Sequence, residues 1–184
     1  MSAATFLRRG VAWFVDAGLV SLLATVFAWR WVAPASTASI AAVRALDAIT
    51  TRRLVDGLVA GTPPMAMMQS LLHDPAMLLA AARVQDASWS LLAPWTLAYA
   101  LLAFAWHVAG DLSPWRGAPG KHWLGLRVET IDGGVPTARQ VVLREAGSAL
   151  SWLSLNLGHA LALLPPRRQS LHDRLADTQV RKTA

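Results

Sequence analysis

The sequence predicts an all-α fold: a small helical transmembrane bundle with two clear spans, a third span or re-entrant hairpin, and a short amphipathic external insert. Hydrophobic residues make up 54 % of the 184 positions and charged residues 15 %, well below the quarter or so that is typical of soluble domains. Residues 87–110 contain no charge, and residues 10–29 contain one. Because about 20 apolar residues in a helix cross the hydrocarbon core of a bilayer, the chain is predicted to be an integral membrane protein, with a single domain over residues 1–184.

The first span is assigned to residues 10–32. Arg8 and Arg9 precede it, and its apolar run contains a single acid, Asp16. A cleaved signal peptide is the alternative, because basic residues, an apolar run and small residues follow one another in the expected order. The run over residues 11–29 is longer than the roughly 7–15 residues of a typical signal-peptide core, so an uncleaved anchor is favoured.

Residues 33–87 are predicted to form the external insert, as two or three amphipathic helices. Apolar residues recur there every three to five positions, as they do on one face of a helix. The residues at 61–64 (Gly-Thr-Pro-Pro) are a helix breaker, and Asp74 followed by Pro is typical of a helix start. The second span follows at residues 88–110.

The distribution of basic residues predicts the orientation. Cytoplasmic flanks of membrane proteins are enriched in Lys and Arg. The N-terminus, the loop 111–139 and the tail 166–184 carry such an excess, whereas residues 33–87 are balanced, so the first three are placed in the cytoplasm. Residues 140–165 are apolar with a polar centre, and one full crossing there would leave the basic tail outside. This segment is therefore predicted to be a third span or, preferably, a re-entrant hairpin.

Asp16 is the residue that the membrane setting makes unusual. An ionised carboxylate inside the bilayer costs about 2.5–3.5 kcal/mol on insertion scales, so we expect it to have a partner. Arg9 lies on nearly the same helix face, but about 10.5 Å nearer the helix start. A third group is therefore expected to complete a network with both residues. The alternative is that Asp16 only anchors the packing of helices.

Other local patterns argue against catalysis. A Gly-Lys pair at 120–121 resembles the end of a phosphate loop, but a His follows where such loops have Ser or Thr. His172 and Asp173 are neighbours in sequence and cannot act as a hydrolase pair within one element. The chain has no Cys, which excludes a thiolate zinc site. We expect no enzyme activity, no metal and no cofactor, and the partial alternation over residues 124–131 fits a short strand or an interfacial segment.

Three segments of the chain resemble the RDD family of membrane proteins. Residues 9–16 look like its R-x-x-A-x-x-x-D start, residues 119–128 followed by Arg144 look like its PGK–LGLRV segment, and residues 168–178 look like its RQ-x-LHD-x-LA-x-T end. The resemblance implies that the Arg and the two Asp of the family name are the residues Arg9, Asp16 and Asp173. The same motifs supply the supporting residues Lys121, Arg127, Arg144 and His172. Asp177 stands where a Gly is common in the family.

The resemblance implies a multi-pass protein of the bacterial inner membrane with a cytoplasmic N-terminus. Some members are described as sodium/proton antiporters and others as accessory parts of membrane complexes. Two functions are accordingly expected as alternatives: an oligomeric ion/proton exchanger or small-solute transporter that uses an Arg/Asp network, or a non-transporting scaffold or assembly factor. Because two or three spans cannot enclose a pathway alone, the first requires a homo-oligomer. The expected partners are the lipid bilayer with anionic lipids, and a second copy or another membrane protein, but no nucleic acid.

Overall fold

The computed structural model describes residues 4–154, 157–164 and 168–183. The chain is mostly helical, at 77 %, and the predicted helical class is confirmed to that extent. In chain order the elements are α1 (Phe6–Val59), α2 (Pro64–His73), α3 (Pro75–Leu112), α4 (Pro119–Trp123), β1 (Leu126–Thr130), α5 (Ala138–Leu153), α6 (Leu157–Ala160), a 3-10 turn (Leu161–Leu163), α7 (Leu171–Leu175) and β2 (Thr178–Lys182). A small sheet is thus added to the all-α fold that the sequence predicts.

Two helices among the described residues are long and apolar enough to cross a membrane. They are α1, with 54 residues, and α3, with 38 residues; their most apolar windows have mean hydropathies of 1.9 and 1.5. Each of them contains one of the two predicted spans. α5 has 16 residues and includes Arg139, Arg144 and Glu145, so it is too short and too charged to count as a third apolar span.

The ends of these helices differ from the predicted ends of the spans. α1 continues without a break past residue 33, with Pro34 inside it, and α3 already begins at Pro75. The predicted breaker at 61–64 is present, because α1 ends at Val59 and Gly61 has a φ of 65°. Charge and hydropathy mark where a segment becomes polar, but a polar amphipathic sequence can continue the same helix. The insert is therefore helical and continuous with both apolar helices.

The chain divides into two compact units. The hairpin unit, Ala24–Ala98, contains the later part of α1, all of α2 and the first part of α3. Its helices are joined by neutral hydrogen bonds, from Trp95 Nε1 to Thr25 Oγ1 at 3.0 Å and from Ser39 Oγ to the Ala87 carbonyl at 3.0 Å. The earlier residue of α1, Thr25, thus meets the later residue of α3, Trp95, and the later Ser39 meets the earlier Ala87, so the two helices run antiparallel within this unit.

The terminal unit, Met1–Leu23 with Tyr99–Ala184, contains the sheet. β1 pairs with β2 in antiparallel register, from Leu126 opposite Lys182 to Thr130 opposite Thr178. Leu126 and Val128 of β1 are buried together with Val180 of β2 and with small residues at the start of the chain. The short strand that the alternation over 124–131 indicated is confirmed, and its pairing with the C-terminal segment was not predicted.

Residues 140–165 do not form one straight helix. A Cβ built on Gly158 of α6 would lie 2.3 Å from Ser151 Oγ of α5. Residues seven apart in a continuous helix are separated by about 10.5 Å along its axis, so the chain reverses after α5. The predicted third crossing is not found among the described helices, and Asn156, in the polar centre of this segment, lies outside the described residues.

Candidate functional site

Asp173, in α7, is bound on both of its carboxylate oxygens. Oδ2 accepts hydrogen bonds from Arg9 Nη2 at 2.6 Å, from the Ser170 backbone N–H at 3.1 Å and from the Ser170 hydroxyl at 2.6 Å. Oδ1 accepts one from Arg144 Nε at 3.0 Å. The Asp173 side chain is fully buried, and two guanidinium groups compensate its charge, which is what a buried carboxylate needs in order to stay ionised.

Arg9 reaches Asp173 from the first turns of α1. It also donates Nη1 to the Arg168 carbonyl at 3.0 Å and Nη2 to Ser170 Oγ at 3.2 Å. A planar guanidinium holds several acceptors in fixed directions, which a lysine ammonium does not. Arg9 therefore fastens the segment before α7 to the start of α1.

Arg144 connects Asp173 to a second group of charges. Its Nη1 contacts Asp111 Oδ2 and lies 2.9 Å from Glu145 Oε1, and Lys121 Nζ donates to Asp111 Oδ1 at 2.7 Å. The result is one ion-pair cluster, in which three cations face three carboxylates and whose members are Arg9, Lys121, Arg144, Asp111, Glu145 and Asp173. These residues come from α1, α3, α4, α5 and α7, so the cluster joins five helices of the terminal unit.

The cluster determines the acid–base behaviour of α7. Burial by itself would raise the pKa of the Asp173 carboxyl, but the charges of Arg9 and Arg144 and the Ser170 hydroxyl hold this pKa well below its usual value. Burial lowers the pKa of His172 to about 2, and His172 Nε2 lies 2.9 Å from Ser170 Oγ. Near neutral pH, Asp173 is therefore an anion and His172 is neutral, and neither exchanges protons.

Asp16 is held differently, although it is also fully buried. Its Oδ1 atom accepts hydrogen bonds from Trp106 Nε1 at 3.0 Å and from the Gly120 backbone N–H at 2.8 Å. Its Oδ2 atom has no hydrogen-bond partner in the described part of the chain. The expected network of Arg9 with Asp16 is not what the structure has, because Arg9 pairs with Asp173 instead. Two helical turns separate Arg9 from Asp16, whereas the folding of the C-terminal segment brings Asp173 directly to Arg9.

Gly120 permits the close approach of α4 to α1. A Cβ at this position would lie 2.2 Å from the Ala12 carbonyl oxygen and 2.9 Å from Asp16 Oδ2. Real Cβ atoms essentially never come that close, so only glycine brings its N–H within reach of Asp16. The Pro-Gly-Lys motif at 119–121 thus serves two sites: its Gly binds Asp16 and its Lys binds Asp111.

The remaining supporting residue, Arg127, lies outside the ion-pair cluster. Its Nε is 2.6 Å from Glu129 Oε1, two positions along β1, where residues of alternate positions share one face of a strand. Arg181 of β2 approaches the same Glu129, at 3.9 Å. Arg127 therefore belongs to the sheet, whereas Lys121, Arg144 and His172 lie with Asp173.

A sequence profile of the RDD family matches residues 3–177, nearly the whole chain. The chain belongs to the RDD family. This confirms the resemblance, and family membership together with the two long apolar helices points to a membrane protein. No curated protein and no solved structure matches the chain.

The structure also explains one departure of this RDD-family chain from the usual pattern. Asp177, which stands where Gly is common, has a φ of 51°. This left-handed conformation is the one that glycine adopts without cost and that Asp tolerates better than most residues. Position 177 connects α7 to β2. The left-handed backbone needed there, and not a charge, explains why glycine is common at this position in the family.

Three residues of the site were not singled out in the sequence. Asp111 only bounds the uncharged stretch 87–110, and neither Glu145 nor Trp106 belongs to the motif segments that predict the site. A signal was present for Asp111, since Lys121 and Arg144 both need a carboxylate if they are buried. The sequence contains no comparable signal for the hydrogen bond from Trp106 to Asp16.

Proposed function

We propose that this RDD-family protein is an oligomeric exchanger of protons for monovalent cations in the bacterial inner membrane, with Asp16 as the carrier. One observation carries this proposal: Asp16 is fully buried in an apolar helix, and its Oδ2 atom has no partner within the described residues. Ionisable residues inside membrane helices are rare and usually mark ion or proton pathways.

The contrast with Asp173 supports this assignment. A carboxylate that is only structural has its oxygens satisfied, as most buried polar atoms do, and Asp173 follows that rule. At Asp16, Trp106 and Gly120 both bind Oδ1 and orient the group, which leaves Oδ2 as an acceptor for a proton or a cation. In the exchange cycle, the carboxylate binds a proton on one side of the membrane and releases it on the other. A monovalent cation then binds to the carboxylate and is released on the first side, so that one positive charge moves in each direction.

The test is flux through purified protein in liposomes with an imposed pH gradient. We expect addition of sodium or potassium ions to dissipate the gradient in the wild type. Asp16→Asn keeps the shape of the side chain but cannot titrate, so its flux per correctly assembled protein should fall at least about tenfold, as expected for loss of a proton-transferring group. Asp74→Asn, in the hairpin unit, is the matched control and should retain the flux. An unchanged flux in Asp16→Asn would remove Asp16 as the carrier.

A second function, a non-transporting scaffold or assembly factor, is favoured by the ion-pair cluster. Its members come from five helices, and its charges are matched within the cluster, so it can hold a rigid surface for another membrane protein. In that case the wild type should give no cation-dependent flux. Asp16→Asn should then lower only the thermal stability, because an amide satisfies Trp106 less well than a carboxylate.

A further inference from the structure

Two arginines of the terminal unit, Arg8 and Arg116, lie at the ends of the apolar helices and form no ion pair with any described residue. Arg8, in the first turn of α1, donates Nε to the Leu124 carbonyl at 2.8 Å. Arg116 follows α3 by four residues and is half-buried. Within the described chain, neither guanidinium has an ion pair, and the nearby acids of the ion-pair cluster already have partners. Both positive charges are therefore available to an external anion.

Exposed indoles accompany both arginines. Trp123 precedes the carbonyl that Arg8 binds and is 68 % exposed, and Trp115 precedes Arg116 and is 55 % exposed. Trp115 stacks on His122 with a centroid distance of 4.7 Å, so its position is fixed next to the end of α4. Tryptophan is enriched at the headgroup level of membranes, where an apolar ring with one polar N–H fits best.

The backbone around Arg116 is fixed as well. The Arg116 N–H donates to the Ser113 carbonyl at 2.9 Å, and its own carbonyl accepts from Val128 of β1 at 2.7 Å. Its φ is 53°, a left-handed conformation that is uncommon for a residue other than glycine. Arg116 is thus presented from a rigid loop rather than from a free one.

These residues lie at one end of the pair of apolar helices. The hydrogen bond between Asp16 and Trp106 pairs an early residue of α1 with a late residue of α3, so the start of α1 and the end of α3 are on the same side. We propose that Arg8 and Arg116, flanked by Trp123 and Trp115, form a binding surface for the phosphate of anionic phospholipid headgroups. The position at the ends of apolar helices favours a lipid over a free anion, and the proposal holds whether or not the protein exchanges ions.

The test uses the purified full chain in neutral detergent, with the melting temperature measured after addition of phosphatidylglycerol or of phosphatidylcholine. We expect phosphatidylglycerol to raise the Tm by at least about 3 °C more than phosphatidylcholine, because a ligand that binds only the folded state stabilises it. Arg116→Asn should lose half or more of this difference, since Asn tolerates the left-handed backbone but lacks the charge. Arg8→Gln should reduce it similarly.

Arg139→Asn is the matched control, since Arg139 is an exposed arginine of the same unit, and it should keep the full difference. An equal loss in this control would overturn the proposal in favour of diffuse attraction, and so would equal shifts with the two lipids. Inorganic phosphate at the same concentration should give no shift in Tm. A shift as large as that with phosphatidylglycerol would overturn the proposal, because the ligand would then be a free anion and not a lipid. Arg116→Gln replaces Arg116→Asn if the latter fails to fold, and retention of the full difference in the variant that folds would also overturn the proposal.

Discussion

The terminal unit encloses Asp111, Arg144 and Asp173, whose side chains are almost inaccessible to solvent, whereas the hairpin unit joins Arg53 to Asp74 by an ion pair in which the Arg side chain is 53 % exposed. A buried pair has lost its hydration and depends on its partner, while an exposed pair remains hydrated and contributes little. The same residue types therefore have different energetic weight in the two units. Matched substitutions in the two units test this difference.

Removing the central arginine should have the largest effect. Arg144→Gln removes one of the two cations that bind each of the buried carboxylates Asp111 and Asp173, and we expect it to lower the free energy of unfolding by about 3–5 kcal/mol. Arg53→Gln, the counterpart in the hairpin unit, should change the Tm little. Thermal melting of both variants in detergent measures the two effects. If both variants lost equally little stability, burial of the ion pairs would not determine their energetic weight.

The next largest difference between the two units should come from replacing a glycine by alanine, which adds one methyl group. Gly120→Ala places a Cβ 2.2 Å from a backbone oxygen of α1, which cannot move aside, so we expect a loss of about 1–3 kcal/mol or more. Gly57→Ala places a Cβ 2.8 Å from the terminal methyl group of Met67, which can rotate away. The second variant should be near neutral by Tm, because alanine also favours the helix by about 0.5–1 kcal/mol.

Acid should destabilise the terminal unit through His172. Unfolded chain binds a proton at a histidine below about pH 6.5, but burial lowers the pKa of folded His172 to about 2. Above pH 6.5 this histidine does not lower the free energy of unfolding. Below pH 6.5 the free energy of unfolding falls by about 1.4 kcal/mol per pH unit as the pH decreases, because only the unfolded chain takes up the proton. The lowered pKa of Asp173 adds a further loss only below about pH 4, where the unfolded carboxyl takes up its proton. His172→Gln should flatten the dependence of Tm on pH between 6.5 and 4.

The exposed His73 of the hairpin unit provides the comparison. His73→Gln should leave the dependence of Tm on pH as it is in the wild type. His73 is exposed on the surface of α2, where its Nδ1 atom lies 2.8 Å from the Gln69 carbonyl oxygen. If this variant flattened the profile as much as His172→Gln, the acid sensitivity would not come from burial of His172.

The smallest of these effects should follow from Arg9→Lys. Lysine keeps the charge opposite Asp173 but cannot also bind the Arg168 carbonyl and Ser170, so we expect a loss of about 1 kcal/mol for each of the two hydrogen bonds. Arg53→Lys should be silent, since Arg53 makes a single exposed contact with Asp74. Full stability of Arg9→Lys would show that Arg9 acts only as a charge.

Local sequence determined the helices of this protein. The apolar runs predict which parts of α1 and α3 are apolar enough to cross a membrane. Gly61 and the prolines after it end α1, and Asp74 precedes the first residue of α3. These features depend on residues within a few positions of one another, for which hydropathy, backbone preferences and capping suffice. The three motif segments likewise contain Arg9, Asp16 and Asp173.

Only the tertiary structure decided how those residues are paired. Along α1, Arg9 and Asp16 are fixed two turns apart, so Arg9 found its carboxylate in Asp173, which is distant in sequence. The same folding brought β2 to β1 and placed Asp111 between Lys121 and Arg144. Pairings over such sequence separations depend on chain reversals, such as the one after α5, and on close approaches, such as that of Gly120 to Ala12. Neither leaves a periodic pattern in the sequence, because each depends on where whole elements meet.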